Sequence, residues 1–300
     1  MEPSPLRKHD RHNFFKYMSA DAATIVLKNI TLRWSSPVEF NDPYDVPREL
    51  MFNIDQSEIQ EELSKYLIGL IQNPTSKTDH IVPILQLLID QSRNASPEMK
   101  EEIINAIKEE AAKRVAQSQA MEELRVRWRQ MLLEFRILCL CESPHTVSMW
   151  YHYADKYRGA VIELACNDES DSPWLVAEKI DYPETIPEIF TPKRWAKLIT
   201  MPERAAVEHL LHEYTYIKTP DWSYEKEWRV TSFKRPHETG TVSDYKINPN
   251  DFVAVYLGPL IDPVDRERIL KILKDGMSHV QPYQAEFGIN RRIEFKPIEE

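Results

Sequence analysis

The stretch Trp222-Ser223-Tyr224-Glu225-Lys226-Glu227-Trp228-Arg229-Val230 decides how this chain is read. As a strand, its side chains alternate, so Glu225, Glu227 and Arg229 project to one side. Tyr224, Lys226, Trp228 and Val230 then project to the other. Two carboxylates one pleat apart repel unless something uses them. A cation, a sugar hydroxyl or a proton transfer would do so. The plainer reading is a solvated face with a Glu–Arg pair worth under about 1 kcal/mol.

Around this stretch the chain reads as strand-rich ends about a helical middle. Segments 14–17 and 31–35 flank a helical stretch at 20–29, with Ser19 or Asp21 as its N-cap. Phe40-Asn41-Asp42-Pro43-Tyr44-Asp45 is a turn by its Asn, Asp and Pro. Residues 56–135 are helical. They hold a capping box at Ser57-Glu58-Ile59-Gln60 and a second start at Ser96-Pro97-Glu98. Met99, Ile103, Ile107, Ala111 and Val115 follow at helical spacing, and a break is expected near 117–121. Strands are expected at 136–141, 160–165, 176–181, 222–233, 251–257 and 291–296. Thr191-Pro192 and Met201-Pro202 open two further helices, and 262–276 is another. The prediction is one α+β domain over 1–300, with 56–135 as a helical insertion.

Composition narrows the function. The 300 residues are 42% hydrophobic and 29% charged, with seven Trp and thirteen Tyr, which suits a folded soluble chain. A net charge of −10 argues against broad nucleic-acid binding, which depends on neutralising phosphates. No apolar run is long enough to span a bilayer, and no apolar secretory core follows the charged N-terminus. A cytoplasmic protein with no membrane partner is expected. Three cysteines fit a reducing compartment. Cys139 and Cys141 share one face of an apolar strand, where core packing is favoured over zinc, since no second ligand pair is at hand. No metal ligand set is assigned. The six glycines never cluster, which excludes a Walker loop and a G-x-G-x-x-G fingerprint.

Three polar-aromatic clusters have the composition of a pocket for a flat polar ligand. They are Phe15-Lys16-Tyr17 with Phe40 to Asp45, then Met149-Trp150-Tyr151-His152-Tyr153-Ala154-Asp155 with Gly159, and Lys218 with Trp222–Arg229. Each has a plainer reading: Asn41-Asp42-Pro43 as a structural turn, Trp150 and Tyr153 as a core-facing helix stripe, His152 as an ordinary hydrogen-bonded histidine.

In their order, with Val255-Tyr256-Leu257-Gly258 after them, these segments resemble the family called domain of unknown function 2971. The layout is also similar to bacterial ADP-ribosyltransferases. That resemblance implies a split antiparallel β-core, NAD as substrate, and a macromolecular acceptor in a toxin or phage-defence setting. Glu227 would then hold the ribose 2′-hydroxyl and Glu225 would act on the acceptor. Lys16, Tyr17, Asn41, Asp42, Trp150 and Tyr153 would bind the dinucleotide, with Lys16 or Arg33 on the pyrophosphate. Arg229 would keep the carboxylate pair ionised. The match to Lys16 is loose, and no Ser-Thr-Ser motif follows the middle strand. One alternative is a metal-dependent nuclease using Asp42 or Asp45 with Glu225 and Glu227. Another is a non-catalytic sensor or interaction module whose helical insertion meets a protein partner.

Overall fold

The computed structural model describes residues 4–50, 55–73, 75–116, 119–186, 188 and 191–299. It is a mixed α+β structure in two compact units. The first comprises Met1–Val46, Leu133–Glu184 and Tyr216–Glu300, and the second Pro47–Leu132 and Thr185–Thr215.

The first unit is built on a ten-stranded sheet. Its strands are β1 (Asn13–Met18), β2 (Thr31–Ser35), β3 (Phe135–Cys141), β4 (Ala160–Ala165), β5 (Glu178–Lys179), β6 (Glu227–Phe233), β7 (Val242–Lys246), β8 (Phe252–Leu257), β9 (Gln281–Phe287) and β10 (Ile293–Pro297). The order is β10-β9-β8-β4-β1-β3-β2-β7, with β6 on β3 and β5 on β6. Among the named strands described, only β8 and β9 pair in parallel, and α9 (Pro263–Gly276) makes the crossover that parallel neighbours need. Between β1 and β2 lies α1 (Ala20–Asn29), capped by Ser19, whose hydroxyl accepts from the Ala22 N–H.

At β3 the sheet opens. β6 pairs with β3 along its whole length, Phe135 against Phe233 through Cys141 against Glu227. β1 and β2 must therefore share the other edge. β1 meets it at Phe15 opposite Cys141, and β2 at Ser35 opposite Ile137. Between these two points the Lys16 ammonium donates to the Cys139 carbonyl at 2.7 Å, in place of a strand partner.

Alternation along the strands separates two cores. Leu138, Leu140, Ile162 and Val255 face α1 and α9, meeting Ala23, Leu27, Ile269 and Leu273. On the opposite face Phe15, Cys141 and Val161 meet Met149 and Trp150 of α6 (Val147–Tyr153).

Several expectations change. The strand expected at 176–181 is reduced to β5, because a 3-10 turn occupies Pro173–Val176. β7 and β9 were not anticipated. Their apolar spacing is weak: in β7 the buried residue is Ser243, between exposed Val242 and Asp244, while Gln281 to Gln284 mix polar and aromatic side chains.

The second unit is helical: α2 (Gln56–Gln72), α3 (Pro83–Arg93), α4 (Pro97–Ala116), α5 (Gln119–Glu134), α7 (Pro192–Leu198) and α8 (Glu203–Thr215). The stretch expected as an insertion supplies most of it, and a second excursion through α7 and α8 joins it. Its core includes Leu63, Leu67, Ile81, Leu85, Ile89 and Ala196. Trp128 is fully buried beside Tyr214, and its indole donates to the Pro47 carbonyl at 2.8 Å. The cap of α2 is Asp55, not Ser57: the Asp55 carboxylate accepts from the Ser57 N–H. Helix α4 starts as expected, with the Ser96 hydroxyl accepting from Met99. Met99 itself is 54% exposed, so the stripe does not begin there. The side chains of Ile107, Ala111 and Val115 lie outside the described residues. So do residues 117–118, between α4 and α5. Among the described residues, no helix is long and apolar enough to cross a membrane.

Candidate active site

The deciding stretch is not one continuous strand. Pro220–Glu225 forms a 3-10 turn, Lys226 takes a left-handed conformation at φ 45°, and β6 begins only at Glu227. Left-handed backbone is uncommon for a lysine and reverses the chain locally. Glu225 therefore reaches Glu227 through a turn rather than along a pleat. Glu227 and Arg229 do alternate on β6 as expected. The Glu227 N–H is held by the Tyr182 hydroxyl at 3.0 Å, which pins the junction.

The result is a buried charge cluster. The Lys218 ammonium lies 2.6 Å from Glu225, 3.2 Å from Glu227 and 3.4 Å from Asp45. The Arg229 guanidinium reaches Glu227 Oε1 at 2.7 Å, Glu227 Oε2 at 3.0 Å and Asp45 Oδ2 at 2.7 Å. Tyr153 donates its hydroxyl to the other oxygen of Glu225 at 2.5 Å. Lys218 also lies 4.8 Å from the centre of the Trp222 ring, and Arg229 5.2 Å from that of Phe40. Three carboxylates thus face two cations.

Their protonation differs. Burial and the adjacent Glu227 charge push Glu225 above the ordinary carboxyl range, against the pull of Lys218. Burial would raise Glu227 as well, but Arg229 and Lys218 overcome it and hold Glu227 well below that range. Arg229 therefore keeps Glu227 ionised, not the pair as a whole. For Lys218, the three carboxylates outweigh burial and raise its pKa. Burial and the Glu225 charge push the Tyr153 phenol upward.

A cavity of about 410 Å³ opens over Glu225, Glu227, Asp45 and Lys218, entirely within the first unit. Of the residues expected to bind a dinucleotide, Lys16, Tyr17, Asn41 and Tyr153 line it. Tyr17 is wall rather than ligand donor, because its hydroxyl already donates to the Ser143 carbonyl at 2.9 Å. Asp42 is not in the lining; its carboxylate accepts from the Tyr44 N–H at 2.8 Å and shapes the turn. Trp150 is fully buried, packed on Tyr17 and bonded to the Pro144 carbonyl, so it supports the wall from behind. Arg33 stands at the rim in a two-bond pair with Asp244, its partner on β7.

Cys139 and Cys141 line the cavity floor rather than the α1 core. Burial raises both thiols, and the Cys141 thiol donates to the Phe15 carbonyl. Thiolate chemistry is disfavoured there.

Asp45, Lys218 and Tyr182 complete a site for which Glu225 and Glu227 were the sequence signal. Asp45 and Lys218 stood within motifs already noticed, but only packing reveals that both touch the glutamates. For Tyr182 no sequence signal existed.

Residues 149–230 match the model of DUF2971, a protein family of unknown function. The matched segment runs from α6 into β6. It carries Tyr153, Tyr182, Lys218, Glu225, Glu227 and Arg229, so every member of the buried charge cluster except Asp45 falls within it. No curated protein and no solved structure matches the chain.

Proposed function

We propose that this cavity binds NAD and breaks its nicotinamide–ribose bond, passing ADP-ribose to a macromolecular acceptor or to water. The observation that carries this reading is one cavity holding two glutamates of opposite protonation tendency, with Tyr153 and Lys16 on its walls. In the reaction the C1′–N bond breaks and its electron pair leaves with nicotinamide, which departs neutral. The ribose then carries oxocarbenium charge. Glu227, fixed as an anion by Arg229 and Lys218, is oriented before the reaction to stabilise that charge through the 2′-hydroxyl. Glu225, once ionised, is a stronger base than an ordinary glutamate and takes the proton of the incoming nucleophile. Lys16 answers the pyrophosphate from the gap beside β3, with Arg33 at the rim. The cavity volume falls within the range of about 300–1,000 Å³ usual for small-molecule sites.

The metal-dependent alternative is less well supported. Lys218 occupies the point between Asp45, Glu225 and Glu227 that a divalent cation would take. The module reading requires the glutamates to be exposed or paired outside any pocket, whereas both line the cavity.

The test is to follow nicotinamide release from NAD by the purified protein, with and without cell extract. Release is expected, and Glu227→Gln should slow it by about a hundredfold or more. Absence of release with every extract, together with unchanged NAD affinity in Glu227→Gln, would overturn the proposal.

A further inference from the structure

A line of aromatic rings leaves the cavity and crosses the surface of the first unit. His152 and Tyr153 line the cavity. From His152 the contacts run to Tyr224 at 6.1 Å between ring centres, and from Tyr224 to Trp222 at 6.1 Å. In the other direction they run to Tyr151 at 5.3 Å, Tyr157 at 6.0 Å and Phe287 at 5.4 Å. Tyr151 is 47% exposed and Phe287 58%. Single exposed aromatics are ordinary, but a connected series beginning inside a cavity is not.

The backbone holds these rings at some expense. Asp155, Lys156 and Tyr157 are three consecutive non-glycine residues in left-handed conformation, at φ 43°, 51° and 71°. Such a run persists only when its surroundings enforce it. Here the Tyr157 N–H bonds the Trp150 carbonyl, and the Tyr157 carbonyl accepts from Leu260. A Cβ at Gly159 would collide with the Met18 carbonyl oxygen, and one at Gly258 with that of Tyr157. The Tyr157 ring is thus presented by a clamped loop.

Cations accompany the rings. Lys156 and Arg158 flank Tyr157, Lys226 follows Tyr224 by two residues, and Arg291 and Arg292 lie in the turn between β9 and β10, just after Phe287. All five are exposed, and none has an ion-pair partner among the described residues. Of the carboxylates adjoining the rings, Glu286 is paired with Lys296 at 2.6 Å, while Asp155, Asp221 and Glu294 stand beside the five cations.

Aromatic platforms interleaved with unpaired cations are the chemistry that grips a single strand: bases stack on rings while phosphates meet cations. We propose that this strip binds single-stranded nucleic acid and leads it to the cavity as the acceptor. The acceptor role rests on the NAD chemistry proposed above, but the binding itself does not.

The test uses no NAD. Fluorescein-labelled single strands of about twelve nucleotides, as DNA and as RNA, are compared with a duplex of the same sequence by fluorescence anisotropy at low salt. At least one single strand should bind more tightly than the duplex, and the preferred strand names the acceptor chemistry. Tyr151→Ala and Phe287→Ala, both at exposed positions, should each weaken that binding about fivefold or more. Arg158→Ala should flatten the slope of log affinity against log salt by about 0.7. If neither single strand outcompetes the duplex, or both alanine variants bind as tightly as the parent, the proposal is overturned. Because NAD is absent, this result is independent of whether nicotinamide release succeeds.

Discussion

Two arginines on adjacent strands, Arg136 of β3 and Arg229 of β6, are both 0% exposed, yet their surroundings are opposite in kind. Arg136 donates to the carbonyls of Leu133, Phe135 and Gly240 and to the Ser243 hydroxyl, all within 2.9 Å. Neutral acceptors consume its donors and fasten β3 to the segment entering β7. Arg229 donates instead to Glu227 and Asp45, beside Lys218 and under an open cavity. A buried guanidinium can therefore be a fastening or part of a reaction centre. The nature of its acceptors, not its burial, separates the two.

The contrast breaks most readily in stability. Arg229→Met leaves two buried carboxylates without their main cation and should cost about 3–5 kcal/mol in urea unfolding. Arg136→Met leaves only neutral acceptors unpaired, so a smaller loss of about 1–3 kcal/mol is expected. Equal losses would remove the distinction.

Rates sharpen it next. Glu225→Gln keeps the shape of the floor but removes its titrating group. Turnover of NAD should fall about a hundredfold or more, with little change in NAD affinity. Loss of affinity with turnover preserved would make Glu225 a binding group instead.

The two glutamates should also respond oppositely to pH. Glu227 has a depressed folded pKa, so its contribution is present above the ordinary glutamate value of about 4.3 and is lost as pH falls below it. Glu225 has a raised folded pKa, so its contribution is present below that value and is lost as pH rises through the folded pKa. Over the acidic range, lowering pH below about 4.3 should therefore erase the parent's stability advantage over Glu227→Gln, whereas raising pH above about 4.3 should make the parent progressively less stable relative to Glu225→Gln. Parallel trends in urea titrations across that range would contradict the assignment.

The smallest effect expected is that of Tyr153→Phe. Losing one hydrogen bond to a buried carboxylate should cost about 1–2 kcal/mol. Without that donor the ionised form of Glu225 is less favoured, so the acid limb of the pH–rate profile should move upward. An unmoved limb would detach Tyr153 from the chemistry.

Much of the fold was legible where local chemistry decides it. Ser19, Ser96-Pro97 and Thr191-Pro192 begin helices as their side chains dictate, and β1, α1 and β2 fall where apolar spacing puts them. The union of α7 and α8 with α2 through α5 was not legible, because it depends on contacts such as those of Ala196 with residues far away in sequence. In the site, the nearness of Glu225, Glu227 and Arg229 could be read, but not the turn at Lys226 that produces it. The inequality of the two glutamates was also hidden, since it depends on which carboxylate Arg229 reaches.

That inequality is the centre of the account, and carboxyl-carbon NMR titration of glutamate-labelled protein tests it most directly. One resonance, absent in Glu225→Gln, should titrate above the ordinary glutamate value of about 4.3, while another, absent in Glu227→Gln, should stay ionised well below it. Both resonances titrating together near the ordinary value would contradict it.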